Sequence, residues 1–229
     1  MTLSLIIPTY DAADVISDTI AEWRDAVRPA EIVVVDGGST DGTPDLVRDA
    51  NATVTEGDKG RGRQLAKGAE ESSGRWLLFM HADTRPGDAS DNDVGAAVDA
   101  HMAAADGSAY AAWFRLAFDV PAAAHIARLA NWRARTLGLP YGDQGLLISR
   151  ALYDAVGGYA PLPIMEDVDL VRRLAPGRLR ALDAGVVTSA RRYRRDGYWL
   201  RPARNLGLLA LYYAGVAPDR LAGWYGNGV

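Results

Sequence analysis

An aspartate that ends an apolar run, followed by a glycine turn and a second aspartate, can present two carboxylates at the edge of a sheet. Residues 31–43 read EIVVVDGGSTDGT. Open α/β sheets bind ligands at the carboxyl ends of their strands, so Asp36 and Asp41 are candidate ligand contacts. The first apolar run ends in Pro8-Thr9-Tyr10-Asp11, which offers a ring that can stack on a base beside groups that can hydrogen-bond a base or ribose. The plainer alternative is that Asp11 caps the next helix and Asp36 shapes its own turn.

Three further sets could do chemistry. In Phe79-Met80-His81-Ala82-Asp83-Thr84 an apolar strand delivers a histidine and an aspartate two residues apart. Strand alternation puts both side chains on one face, where they could share a divalent cation. Imidazole with carboxylate suits Mn²⁺ somewhat better than Mg²⁺. Gly60-Arg61-Gly62-Arg63-Gln64 is a glycine-rich turn opening a helix, a place where backbone N–H groups and arginines attract phosphate, but it lacks the Gly-Lys-Ser/Thr of an ATPase loop. In Met165-Glu166-Asp167-Val168-Asp169, three acids begin a helix. The helix dipole favours them there whether or not one acts as a general base.

These groups need a scaffold, and the order of elements supplies one. Strand-length apolar runs at Leu3–Ile7, Ile32–Val35, Ala52–Glu56 and Trp76–Met80 alternate with helical patterns at Ala13–Ala26, after Thr43-Pro44, and at Arg63–Ser72. Thr43 is the expected cap of the second helix, with Pro44 at its first position. Such alternation predicts a parallel sheet with right-handed crossovers. After Asp83 the rhythm changes: helices fit Asp93–Ala104, a segment opened by Pro121 that carries Trp132, Arg150–Val156, Asp167–Leu174 and Trp199–Ala214, and strands fit Ala109–Val120 and Gly145–Ser149. With 229 residues and no repeat or linker, a single unit is expected. The absence of cysteine excludes disulfides and thiolate metal sites. The N-terminus reads as a strand, not a signal peptide, and Leu206–Ala217 is too short to span a bilayer.

The net charge of −4 is uneven: Arg172–Arg204 holds ten arginines against Asp183 and Asp196, leaving −12 for the rest. A basic patch in an acidic chain points to a localised anion, a substrate phosphate or lipid head group, and away from nucleic acid.

Taken in order, IIPTYDA, VVVDGGSTDGT, GRGRQLAKGA, LLFMHADT, YGDQGLLISR, VGGY and IMEDVDLVRRL resemble a family-2 glycosyltransferase, and more narrowly the bacterial radical-SAM/selenodomain-associated subgroup. The resemblance covers about residues 3–195. It implies a GT-A fold: a Rossmann-like, mostly parallel central sheet flanked by helices, with a helical C-terminal extension. Residues 1–84 would form the nucleotide-sugar half, 85–195 the acceptor and catalytic half, and 196–229 the C-terminal helices. The implied reaction is inverting transfer of a sugar from a nucleoside diphosphate sugar (a UDP- or GDP-sugar) to a hydroxyl-bearing acceptor, assisted by Mn²⁺ or Mg²⁺.

By the same resemblance, Asp36 would read the base, and Pro8, Thr9, Tyr10 and Asp11 would line the nucleoside. Arg63 would lie beside the diphosphate, with Ala82 also in the donor site. Asp83 would match the last aspartate of a metal-binding D-x-D whose first position is here His81, and Asp167 would be the catalytic base. Gly142, Asp143, Gln144 and Glu166, with Asn131, Trp132 and Arg135, fall on the acceptor side. Arg191, Arg192 and Arg194 would pair with diphosphate or form a lid.

The acceptor, small molecule or lipid, is open. Leu206–Tyr213 with Trp199 and Trp224 could meet a membrane, although an apolar stripe at helical spacing is more often core. The expected location is cytoplasmic, with room for peripheral contact at the inner membrane face. Alternative readings are a non-catalytic nucleotide-sugar binder and a sugar nucleotidylyltransferase, the latter lacking its glycine-rich loop after the first strand.

Overall fold

The structure, a computed structural model, describes residues 1–87, 93–174 and 177–225. Its first half follows the predicted alternation. Strands β1 (Leu3–Thr9), β2 (Glu31–Asp36), β3 (Thr53–Glu56) and β4 (Trp76–Phe79) run parallel, joined by helices α1 (Ile16–Val27), α2 (Thr43–Asp49) and α3 (Arg61–Glu71). β1 is buried along its whole length, as expected of a strand covered on both faces.

The second half is mixed. It holds β5 (Thr84–Pro86), α4 (Val94–Ala103), β6 (Ala111–Phe118), α5 (Ala124–Leu137), β7 (Leu146–Ser149), α6 (Arg150–Ala155), α7 (Glu166–Arg173), β8 (Leu179–Thr188), α8 (Arg191–Asp196), α9 (Leu200–Tyr213) and α10 (Pro218–Tyr225). The strands form one sheet in the order β3-β2-β1-β4-β7-β6-β8-β5. β7 lies antiparallel between β4 and β6, β8 is parallel to β6, and β5 is antiparallel to β8.

Alternation along the strands divides the core between the sheet's two faces. Leu5, Ile7, Val34 and Leu78 pack with Trp23 and Phe114 under α1 and α4. Ile6, Leu77 and Phe79 pack the other way, against Leu65 of α3, Tyr153, Tyr159 and Leu170 of α7.

Two local expectations change. Gly42, not Thr43, is the cap of α2. Thr43 is already helical: its hydroxyl accepts from Ala12 N and donates to Asp41 Oδ1, and Asp41 takes the capping contact by accepting from Thr43 N. Helix α3 begins at Arg61, two residues before the expected start, with Gly62 pressed against the loop at 160–162. A Cβ on Gly62 would lie 2.5 Å from Ala160 O and 2.6 Å from Leu162 O, so only glycine admits this approach.

Candidate active site

The carboxyl edge of the sheet is built first by β1 and β2, whose register sets Thr9 opposite Asp36. Asp36 is 2% exposed and fully engaged. Its Oδ1 accepts from the hydroxyls of Thr9 and Ser39, and its Oδ2 accepts from Gly38 N (3.0 Å) and Ser39 N (2.8 Å). Asp11 does not cap α1, whose N-cap is Val15; it accepts from Thr40 N and its own N–H donates to Ser39 Oγ. Asp41 accepts from Ala13 N. Slight burial pulls Asp41 upward, but its hydrogen bonds from Thr43 and Ala13 prevail and hold it below the usual carboxylate range. Pro8 and Thr9 are buried at the strand end, whereas Tyr10 is exposed with Lys59 Nζ 3.7 Å from its ring centre.

A residue that the motif reading passed over braces this edge. Gln64 of α3, 3% exposed, donates from Nε2 to the carbonyls of Thr9 (2.7 Å) and Val35 (2.8 Å), tying the ends of β1 and β2 together. Its one available signal was a polar residue on the buried face of an amphipathic helix.

The segment carrying His81 and Asp83 is a turn, because β4 ends at Phe79. Strand alternation therefore does not set the faces of these two side chains. Remote contacts hold the turn from both sides. Thr19 and Trp23 of α1 donate to the carbonyls of Ala82 and Thr84, at 2.7 Å each, and Ser189 N donates to Asp83 O. Two cations act on both side chains. Burial, then Arg61 and Arg192, hold His81 well below the ordinary histidine value, so the imidazole is neutral at neutral pH. Burial raises Asp83 against Arg192, Arg191 and Arg61.

Across from this turn lies the start of α7. Met165, before it, adopts a left-handed backbone (φ 65°), a conformation that non-glycine residues hold at some cost. Asp167 Oδ2 accepts from Gly142 N (2.8 Å), and its Oδ1 from Val168 N (2.7 Å). Gly142 is also the neighbour of His81: a Cβ there would lie 2.7 Å from His81 Nε2 and 3.5 Å from Asp167 Oδ2. Asp167 and His81 therefore meet at one glycine. Both line a cleft with Pro140, Tyr141, Tyr159 and Glu166.

Glu166 is 1% exposed, with Oε1 2.9 Å from Arg61 Nε and Oε2 without a hydrogen-bond partner. Burial raises it to about 7, with Asp167 adding to the rise and Arg61 opposing it. Tyr141 OH, also without a partner, lies under Arg133, whose guanidinium is 3.8 Å from the ring centre.

The other predicted positions separate. Asp143 is near this group: burial raises its pKa, against Arg133 and with Asp167. Gln144 is fully buried and donates to Asn131 Oδ1, while Asn131 clamps the backbone of Leu116, so both serve the junction of α5 and β6. Trp132 and Arg135 are exposed on α5. Arg63 is exposed, and Arg61 is the arginine of that turn that reaches the site. In α8, Arg192 acts on His81 and Asp83, Arg191 pairs with Asp14, and Arg194 pairs with Asp119. Among the described residues no group of three or more His, Asp or Glu side chains is arranged to hold a metal. Asp83 and His81 could supply at most part of a coordination sphere, which fits a cation shared with a bound diphosphate and water.

Residues 4–118 match the sequence profile of Glycosyl transferase family 2. The glycosyltransferase AglJ of Haloferax volcanii is 40% identical over 81 residues, 34% of this chain and 26% of that protein. A mannosyltransferase of Pyrobaculum calidifontis, solved with GDP-Man and Mn²⁺, superposes with a TM-score of 0.67 over 95% of this chain and 66% of that one, at 20% identity. Residues 1–349 of S. aureus TarS, solved with UDP-GlcNAc, give 0.60 over 83% and 59%, at 18% identity. The alignment with AglJ spans only about a quarter of that relative's length. These solved structures share the GT-A architecture of mixed sheet and flanking helices.

Proposed function

This chain belongs to glycosyl transferase family 2, and from that premise we propose that it moves a sugar from a nucleoside diphosphate sugar to an acceptor hydroxyl, with inversion and with Asp167 as the base. The observation that carries the reading is the meeting of Asp167 and His81 at Gly142, beside a turn on which Arg61 and Arg192 both act. The donor complexes of the two solved relatives support a nucleotide sugar as substrate class.

In this reading residues 1–84 hold the donor, 85–195 bring acceptor and base, and 196–229, of which the last four lie outside the described residues, add helices. Pro8, Thr9, Tyr10, Asp11 and Ala82 line the nucleoside. Asp36 serves the base through the Gly37–Thr40 loop that it orders. Asp167 accepts the acceptor proton as the hydroxyl oxygen attacks the anomeric carbon. The bond to the diphosphate breaks on the opposite face, and its electron pair leaves on the phosphate oxygen. Arg61 and Arg192 stabilise that charge, an electrostatic contribution of the kind that dominates many enzymes. Arg191, Arg194 and Arg63 contribute long-range attraction. Bound at Asp83 and His81, Mn²⁺ or Mg²⁺ would supply further neutralisation of the diphosphate. Gly142, Asp143 and Glu166 border the acceptor.

The test is release of nucleoside diphosphate, with and without Mn²⁺, by the wild type, Asp167→Asn and Asp83→Ala. Loss of turnover with donor binding kept in Asp167→Asn is the expected result. Wild-type turnover in both variants refutes the assignment. The sparse metal donors favour one second reading, a nucleotide-sugar binder without catalysis, which would bind the donor and release no diphosphate under any of these conditions.

A further inference from the structure

Between Arg204 and Asp219 the chain carries no charged residue. The bland expectation for such a stretch is burial, yet of its residues in α9 (205–213) Leu208 alone is buried, packing with Tyr212 against Ile164, Met165 and Leu221. Leu206 is 65% exposed, and Leu211 and Tyr213 are exposed with it. A surface helix normally shows a polar face to water, so this outer face is a departure that asks for a partner.

The apolar surface continues onto α5. His125, Leu129 and Trp132 stand at i, i+4 and i+7, on one helical face. The His125 ring stacks on Trp199, with centroids 4.5 Å apart and planes at 24°. Leu129, Trp132, Trp199 and Leu200 are all more than half exposed, and the His125–Trp199 stack joins their two helices.

Charge sets the chemistry of the partner. Together α5, α8 and α9 hold nine arginines and a single acid, Asp196, so the rest of a chain with net charge −4 carries −12. Arg128 and Arg135 are exposed beside the apolar band of α5. Arg194 and Arg195 are held by exposed ion pairs with Asp119 and Asp196, which are weak contacts in water and readily exchanged for phosphate.

We propose that α5, α8 and α9 form a docking surface for a bilayer containing anionic phospholipid. The exposed Trp and Leu side chains enter the boundary between head groups and acyl chains, and the exposed Arg128, Arg135, Arg194 and Arg195 meet lipid phosphates. At 14 residues α9 is roughly 21 Å long, short of the hydrocarbon thickness of roughly 30 Å, so it lies on the membrane. No described helix is long and apolar enough to cross one.

The test is co-sedimentation of the full chain, without sugar nucleotide, with vesicles of phosphatidylcholine alone or containing roughly 30% phosphatidylglycerol. Vesicle binding and sugar transfer are thus scored separately. Binding to the anionic vesicles that weakens with salt is expected. It should fall about tenfold or more in Leu206→Ser/Leu211→Ser and in Trp132→Ser/Trp199→Ser, all exposed positions at which folding, checked by circular dichroism, is unaffected. Absence of binding to either vesicle, or equal binding to both, overturns the proposal. So does a wild-type dimer in light scattering that these substitutions dissociate, because the covering partner would then be a second copy.

Discussion

The two sides of the cleft differ in how completely they satisfy their carboxylates. At the β1–β2 edge, Asp36, Asp11 and Asp41 are each bound by the chain's own N–H and hydroxyl groups. Four donors meet Asp36, about the number of lone-pair sites a carboxylate has. Around the His81–Asp83 turn and the start of α7, Asp167 is bonded by Gly142 N and Val168 N, but Glu166 keeps one oxygen unpaired, Asp83 and Asp143 are raised by burial, and Arg61 carries charge near these last three. The first side is a finished frame whose polar groups stabilise the fold. The second leaves polar groups unsatisfied, a cost that makes sense where an incoming ligand completes them.

Substitutions can break that contrast. The largest expected effect is on the reactive side: Asp167→Asn should cost roughly 10²–10⁴-fold in turnover, the range of general acid–base catalysis, while the melting temperature stays close to wild type. A large fall in melting temperature would instead make Asp167 part of the frame. Next comes Asp36→Ala, which strips four contacts from a buried group. We expect it to lower unfolding free energy by about 2–4 kcal/mol in urea titrations, and wild-type stability would mean the edge does not depend on it.

Glu166 gives the pH arm. Its folded value of about 7 lies above the ordinary 4.5, so the folded state retains a proton that the unfolded chain has released between those values. The stability this adds is complete below about 4.5 and lost as pH rises through 7, on the order of 3 kcal/mol. Glu166→Gln should therefore be less pH-sensitive than wild type across that window, and parallel stability curves would exclude a strained carboxylate there. The smallest effect is that of Asp41→Ala, which removes the capping contact to Thr43 and should cost about 1 kcal/mol without changing turnover of a saturating donor.

The parallel half of the fold was legible in the sequence because each strand is a short apolar run and each crossover an amphipathic pattern. Strand β8 was not, because Arg180, Asp183 and Gly185 interrupt its apolar residues and it pairs with β6 across a register shift. The site was legible as motifs but not as geometry. Arg61 and Arg63 lie about 200° apart on α3, so Arg61 reaches Glu166 while Arg63 is exposed. The His81–Asp83 turn owes its shape to Thr19, Trp23 and Ser189, none of them near it in sequence. The outer face of α9 read as core because spacing cannot tell a helix that faces protein from one that faces something else.

The strut at Gln64 has a mechanical consequence. In the same turn of α3, Gln64 grips the carbonyls of Thr9 and Val35, Gly62 abuts the 160–162 loop, and Arg61 holds Glu166. One rigid rod thus bears on both banks of the cleft. A load on either strand end is therefore shared, through the first turn of α3, with the 160–162 loop and with the Arg61–Glu166 ion pair.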